Sequence, residues 1–297
     1  MKIDKLVNYC DRDIKEYAFS KVCADCNHCT GCPGNCGKCI DQVHLSRGVD
    51  ERQDYDCPYM VEYYVCKYIY AYASEISDCL KIIKNKILQL EHVHMLSIGS
   101  GPSPDLYALW KFKKEFDYNR PISYIGFEHN EYWEEVNNKT VDIFDGSDIR
   151  IQYFYEDAIE TFKTKNLAKT NILVLQYLLS HVVYNGREKE IKKFFGNLIE
   201  NVILKMENKS FIIINDINHY IARDKFELLE NLIESYGKSI RVHKYYYPFK
   251  DLNFYQRDGI MHDHIHIDMD YIINSDMFDS YDTRDDCRSI QHIIEVF

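Results

Sequence analysis

Six cysteines fall within seventeen residues, at Cys23, Cys26, Cys29, Cys32, Cys36 and Cys39. Thiolates three residues apart on a tight turn can aim two sulfurs at one ion, which a tetrahedral zinc site requires. Six sulfurs exceed the four that one zinc takes. Cys57 is therefore expected as a seventh ligand, with Cys10, His28 or His44 completing a second site. The run Cys26, Cys29, Cys32, Cys36 also has the spacing of a bacterial iron–sulfur run, although proline follows Cys32 and Cys57 rather than Cys36. Zinc and an iron–sulfur cluster both stay open. Cys66, Cys79 and Cys287 stand alone and read as packing residues.

A second kind of chemistry lies further along. Val93–Ile98 is an apolar run that ends in Gly99-Ser100-Gly101-Pro102-Ser103-Pro104. Glycines there let the backbone approach a ligand closely, and the helix that follows offers its first amides to polar groups. Ile122–Phe127 ends at Glu128, whose carboxylate can accept both hydroxyls of a ribose. Ile149–Tyr155 ends at Glu156-Asp157-Ala158, an acid at the same edge that could accept from an adenine amino group. Candidate bases follow the next two strands: His181, Asp216 and His219. Tyr184, Tyr220 and Tyr245-Tyr246-Tyr247 are candidates for an aromatic wall. In the stretch 262–268, His264, His266 and Asp268 would share one face of a strand, but metal sites draw ligands from several elements and a polar strand face is the plainer expectation.

The elements that must carry these residues change character near residue 92. Before it, apolar spacings of three and four predict a helix over 1–20, a second from Val61 to Ile76 rich in aromatics, and a third from about Cys79 to Leu90. Residues 23–39 hold Gly31, Pro33, Gly34 and Gly37, too many breakers for a regular element. After residue 92, strand-like runs at 93–98, 122–127, 149–155, 172–175 and 211–214 alternate with helical runs near 105–117, 130–138, 157–166, 187–206 and 222–236. Five such units predict an open parallel sheet covered on both faces. Ile240–Tyr247 and His264–Met269 read as a final antiparallel pair. The expected organisation is a helical, cysteine-rich metal-binding module over 1–91 and an α/β domain over 92–297.

The segments LSIGSGPSPDLYAL, YIGFE, FYEDAIE and ILVLQYLLSHV resemble the class I S-adenosylmethionine-dependent methyltransferases, over about residues 92–270. The resemblance implies a seven-stranded, mostly parallel Rossmann-like methyltransferase sheet with S-adenosylmethionine as cofactor. It implies that Gly99, Ser100 and Gly101 cradle the methionine part, that Glu128 holds the ribose, that Asp157 and Ala158 meet the adenine, and that Gln176 lines the wall near the methyl group. Two positions depart from the family pattern: Ser97 stands where an acid is usual two residues before the first glycine, and Ser103 replaces the third glycine of the loop. The GSGP turn also resembles the nicotianamine-synthase branch, which uses the same cofactor for aminocarboxypropyl transfer. A nicotinamide-dependent dehydrogenase is excluded by its own fingerprint, since the next glycine after Gly101 is Gly126. The fourth strand also lacks the Asn/Asp-Pro-Pro-aromatic signature of many amino-group nucleic-acid methyltransferases.

Composition narrows the partners. The 297 residues carry 36 Lys and Arg against 47 Asp and Glu, and 251–297 alone holds three basic and eleven acidic side chains. That balance argues against extended duplex DNA, whose phosphates demand clustered cations. The first residues mix both signs where a secretory signal needs an apolar run, and no apolar stretch approaches the ~20 residues of a membrane span. A cytoplasmic location is expected, where eleven cysteines favour metal ligation over disulfides. The acceptor, whether small molecule, protein or RNA, is not readable. A non-catalytic methyltransferase-like partner-binding or assembly protein is the contrasting class.

Overall fold

Short apolar runs bounded by turns form the strands, and their period-two alternation sends side chains to two faces. The computed structural model describes residues 1–20, 36–45, 55–164, 169–180, 182, 188–217, 220–246, 260–261, 268–287 and 289–297. The strands are β1 (Val93–Ile98), β2 (Ile122–Phe127), β3 (Ile149–Phe154), β4 (Ile172–Gln176), β5 (Ser210–Ile217), β6 (Ile240–Tyr246), β7 (Ile260–Met261) and β8 (Ser289–Val296). They form one sheet in the order β3-β2-β1-β4-β5-β8-β6-β7. The first five run parallel, and β8 is antiparallel to both β5 and β6. The chain order reverses between β1 and β4, which opens the crevice where ligands of doubly wound sheets bind.

The helices are α1 (Lys2–Ser20), α2 (Cys36–Leu45), α3 (Pro58–Ile82), α4 (Lys84–Ile87), α5 (Pro104–Glu115), α6 (Glu134–Phe144), α7 (Ala158–Thr164), α8 (Glu188–Asn201), α9 (Tyr220–Ser235) and α10 (Ser275–Tyr281). One sheet face, carrying Met95, Tyr124, Val174 and Ile213, packs under α1, α3, α5 and α6. The other, carrying Leu96, Ile98, Leu173 and Ile214, packs under α7, α8 and α9.

The alternating β-α plan from residue 93 onward agrees with the sequence expectation, and three details differ. The antiparallel strand is Ser289–Val296, threaded between β5 and β6, so the sheet has eight strands, one of them only two residues long. Residues 264–267 of the expected partner strand lie outside the described residues, and Asp268 and Met269 are not in a strand. The two helices expected over 61–90 are a continuous α3 with a short α4 behind it. Cys36 and Cys39 lie on the first turns of α2, where no regular element was expected.

Helix α3 explains why. Eighteen of its 25 residues are buried, and a helix apolar on nearly every side belongs inside a structure. Pro58 at its start fits the one helical turn whose amides have no partner. Ile3, Leu6, Val7 and Cys10 of α1 join Met60, Val65 and Ile69 of α3 in the same core as the strand residues above. Helix α3 thus lies directly on the sheet, with α1 packed against α3 and α6. Among the described residues no helix is long and apolar enough to cross a membrane.

Candidate functional site

The turn after β1 is built around positive-φ backbone. Gly99 and Gly101 have φ of 67° and 47°, and Gly99 N and Ser100 N both donate to Phe127 O, at 2.8 and 3.0 Å. A Cβ on Gly99 would press lightly on Leu178 at 3.1 Å, and the positive φ is what calls for glycine there. Ser103, where the family pattern has a third glycine, keeps a glycine's backbone at φ 58° and accepts a hydrogen bond from Tyr153 Oη at 2.8 Å. Gly126 in β2 clears room for that tyrosine, because a Cβ there would lie 2.7 Å from the Tyr153 ring.

These turns edge a cavity of about 420 Å³ at the carboxyl ends of β1 to β4. Gly99, Ser100, Gly101, Glu128, Asp157, Ala158 and Gln176, the seven expected cofactor residues, all line it. Glu128 accepts from Gly101 N at 2.8 Å and from Asn130 N at 3.0 Å, and so holds the glycine turn in place. Asp157 caps α7, its Oδ1 accepting from Glu160 N at 3.0 Å. Gln176 donates to Tyr72 O at 2.9 Å. Its Oε1 is buried without a partner, and so is Ser100 Oγ.

The opposite wall is aromatic. Tyr55, Tyr64 and Tyr72, with Trp133 and Tyr177, line the cavity. Tyr72 and Tyr177 lie 4.3 Å apart by ring centroids, and Tyr55 and Trp133 meet edge to face at 5.7 Å. Tyr177 has φ 52°, a strained conformation for a bulky residue. It is held there by Tyr177 N donating to Asn215 O at 2.9 Å and by its hydroxyl, 3.0 Å from each oxygen of the buried Glu75. Burial, with the Glu75 carboxylate beside it, raises the Tyr177 pKa well above the usual value and keeps the phenol protonated. The sequence reading missed this wall. Its signal was the four-residue spacing of Tyr64, Tyr68 and Tyr72, which puts three rings on one helix face.

Several expected residues sit elsewhere. Asp216 is fully buried and is not among the cavity's lining. Its oxygens accept from Ser180 N at 3.0 Å and Ile217 N at 2.7 Å, the work of a helix cap rather than a base. His181 and His219 lie outside the described residues, as do Tyr184, Tyr247, and His264 and His266. Tyr245 packs against the α3-side core. Cys23, Cys26, Cys29, Cys32 and His28 also lie outside the described residues. Among the described residues no three His, Cys, Asp or Glu side chains come together as a metal site. His44, a candidate ligand by sequence, has Nε2 2.8 Å from the Tyr55 hydroxyl and steadies the aromatic wall from α2.

The lining suits a nucleoside bearing a positively charged arm. Asp105, Glu128, Glu156 and Asp157 all face the cavity, and no Lys or Arg is among its described lining. The glycine cradle, the two orphaned polar atoms and the aromatic faces fit S-adenosylmethionine in size and charge.

No family model matches the chain, and no curated protein matches it. Among solved structures it is similar to a Listeria monocytogenes protein assigned as a class I S-adenosylmethionine-dependent methyltransferase, at 11% identity and a TM-score of 0.46, covering 74% of this chain and 59% of that one. It is also similar to precorrin-6y C5,15-methyltransferase from Geobacter metallireducens, at 13% identity and a TM-score of 0.40, covering 73% and 88%. A methyltransferase from Pyrococcus furiosus gives 10% identity and a TM-score of 0.39, covering 72% and 81%. Function has to be argued from the site.

Proposed function

We propose that the protein binds S-adenosylmethionine in this cavity and transfers its methyl group to an acceptor that enters past the aromatic wall. The observation supporting this most is convergence. Seven residues chosen from the ends of four strands line one space of about 420 Å³, beside buried polar atoms that have no partner in the protein.

When bound, S-adenosylmethionine supplies an electrophilic methyl carbon on a positively charged sulfur. The chain's own part is placement. The Gly99–Gly101 turn, whose glycines let a ligand lie close to the backbone, and the remaining lone pairs of the Glu128 carboxylate fix the ligand's position, and alignment of this kind is what group transfer chiefly needs. The aromatic wall that Tyr55, Tyr64, Tyr72, Trp133 and Tyr177 build keeps water out. Asp216 is engaged as a cap, so the proposal assigns no general base.

Calorimetric titration of S-adenosylmethionine and S-adenosylhomocysteine tests the reading. Micromolar binding is expected, weakened about tenfold or more in Glu128→Ala, the worth of one hydrogen bond to a charged group. Absence of binding by folded protein overturns it. The product separates the chemistries: S-adenosylhomocysteine accompanies methyl transfer, and 5′-methylthioadenosine accompanies aminocarboxypropyl transfer.

The cysteine run is proposed, on spacing alone, as a structural zinc or iron–sulfur site. Metal analysis of anaerobically purified protein, with visible absorbance to reveal iron–sulfur, should find stoichiometric metal. Metal-free folded protein rules the site out.

A further inference from the structure

One carboxylate at the cavity differs from the rest. Glu128 accepts two backbone amides, Asp157 caps α7, and Glu156 accepts from Thr161 Oγ1 at 2.8 Å. Asp105, the second residue of α5, is 1% exposed. Its Oδ1 accepts from Tyr124 Oη at 2.9 Å and from Leu106 N at 3.1 Å, while its Oδ2 is buried with no partner. Leaving such an oxygen unsatisfied is expensive, and an orphan of this kind in a cavity wall calls for an explanation.

Ser97, at the end of β1, has its side chain against the Asp105 carboxylate and brings no charge to it. Both residues line the cavity. Asp105, in the first turn of α5, is thus a buried acid at the cavity wall beside the glycine turn. Its complement is a group that carries positive charge and donates hydrogen bonds, and a primary ammonium does both.

We propose that Asp105 receives the α-ammonium of the ligand's amino-acid arm through Oδ2. This rests on the S-adenosylmethionine reading of the cavity. Burial pushes the Asp105 pKa up to about 6, against the opposing effect of the Ser97 and Tyr124 hydroxyls.

The test compares two nucleosides by calorimetry: S-adenosylhomocysteine, which has the amino-acid arm, and 5′-methylthioadenosine, which lacks it. Asp105→Asn keeps an oxygen for Tyr124 and Leu106 N. It should weaken S-adenosylhomocysteine about 10- to 100-fold and change 5′-methylthioadenosine by less than about threefold. Adding Ser97→Asp to Asp105→Asn returns a carboxylate to the site and should restore part of the loss. Equal affinity of wild type and Asp105→Asn for S-adenosylhomocysteine overturns the proposal and leaves the cofactor reading standing. An equal loss for both nucleosides also overturns it, because the acid would then only be supporting the loop. If wild type binds neither nucleoside, the cofactor reading fails and the proposal with it.

Discussion

Ser103 sits in left-handed backbone that costs an L-residue about 1–2 kcal/mol, and its hydroxyl is the acceptor for a partly buried tyrosine. The two effects oppose each other, which yields a sharp expectation. Ser103→Gly removes the strain and the hydrogen bond together and should change stability by less than about 1 kcal/mol. Ser103→Ala keeps the strain and strands the Tyr153 hydroxyl, so it should cost about 1–3 kcal/mol. Urea unfolding of both variants checks this, and an alanine variant as stable as wild type would disprove the account. Asp216 offers a titration at the same scale. Burial outweighs its hydrogen bonds and raises its pKa to about 6, above the unfolded value. The native state then holds this proton more tightly than the unfolded chain. The contribution to stability is complete below about pH 4 and is lost as pH rises through about 6. Asp216→Asn lacks that loss, so relative to wild type it should gain about 2 kcal/mol of stability between pH 4 and 7. Parallel urea titrations at the two pH values measure the difference, and an unchanged gap contradicts the shift.

Among the elements, α3 and β8 carry the most and were the hardest to read. Glu75 of α3 ties the strained Tyr177 to the cavity wall, takes a hydrogen bond from Asn215 Nδ2 at 2.8 Å, and shares a buried region with Arg284, whose guanidinium lies over the Tyr72 ring. Glu75→Gln weakens the hydrogen bonds that Tyr177 and Asn215 make to a buried carboxylate, while Arg284 keeps its pair with Asp286, and should destabilise the fold by about 1–3 kcal/mol. Thermal unfolding reads that cost. It should also blur the cavity wall, seen as altered Tyr177 ring signals by NMR. The β-α order and the glycine turn were legible because strand and helix periods differ and glycine punctuates them. Strand β8 was not. Its sequence, SIQHIIEV, places Gln291, His292 and Glu295 in a strand buried along its whole length. Each polar group is met from a distant element: Gln291 donates to Glu75 O at 3.0 Å, His292 Nδ1 lies 2.6 Å from Glu230, and Glu295 pairs with Lys86. Local pattern cannot reveal partners that lie more than sixty residues away. Asp105 escaped notice for a similar reason. Its place beside Ser97 exists only once α5 folds back over β1.

At the scale of the whole molecule, the composition change at residue 92 separates two textures that share one core. Most of α3, with Ile3, Leu6 and Val7 of α1 packed against it, covers a sheet face that includes Met95, Val174 and Ile213. Residues 92–297 expressed alone would expose that face, and contiguous apolar surface on this scale drives association. The fragment should aggregate or bind a hydrophobic dye such as ANS and lack a cooperative thermal transition. A monomeric fragment that melts cooperatively would disprove the shared core.

The position of β8 also bears on how the chain is made. Strands β5 and β6 are joined only through a strand that lies about 70 residues beyond the end of β5, so at ~5–20 residues per second their facing edges wait several seconds on the ribosome without a partner. During that interval the nascent sheet presents two open edges, the kind of surface that recruits other strands. Synthesis, more than the life of the finished molecule, is then the stage at which this sheet is most open to pairing with other strands.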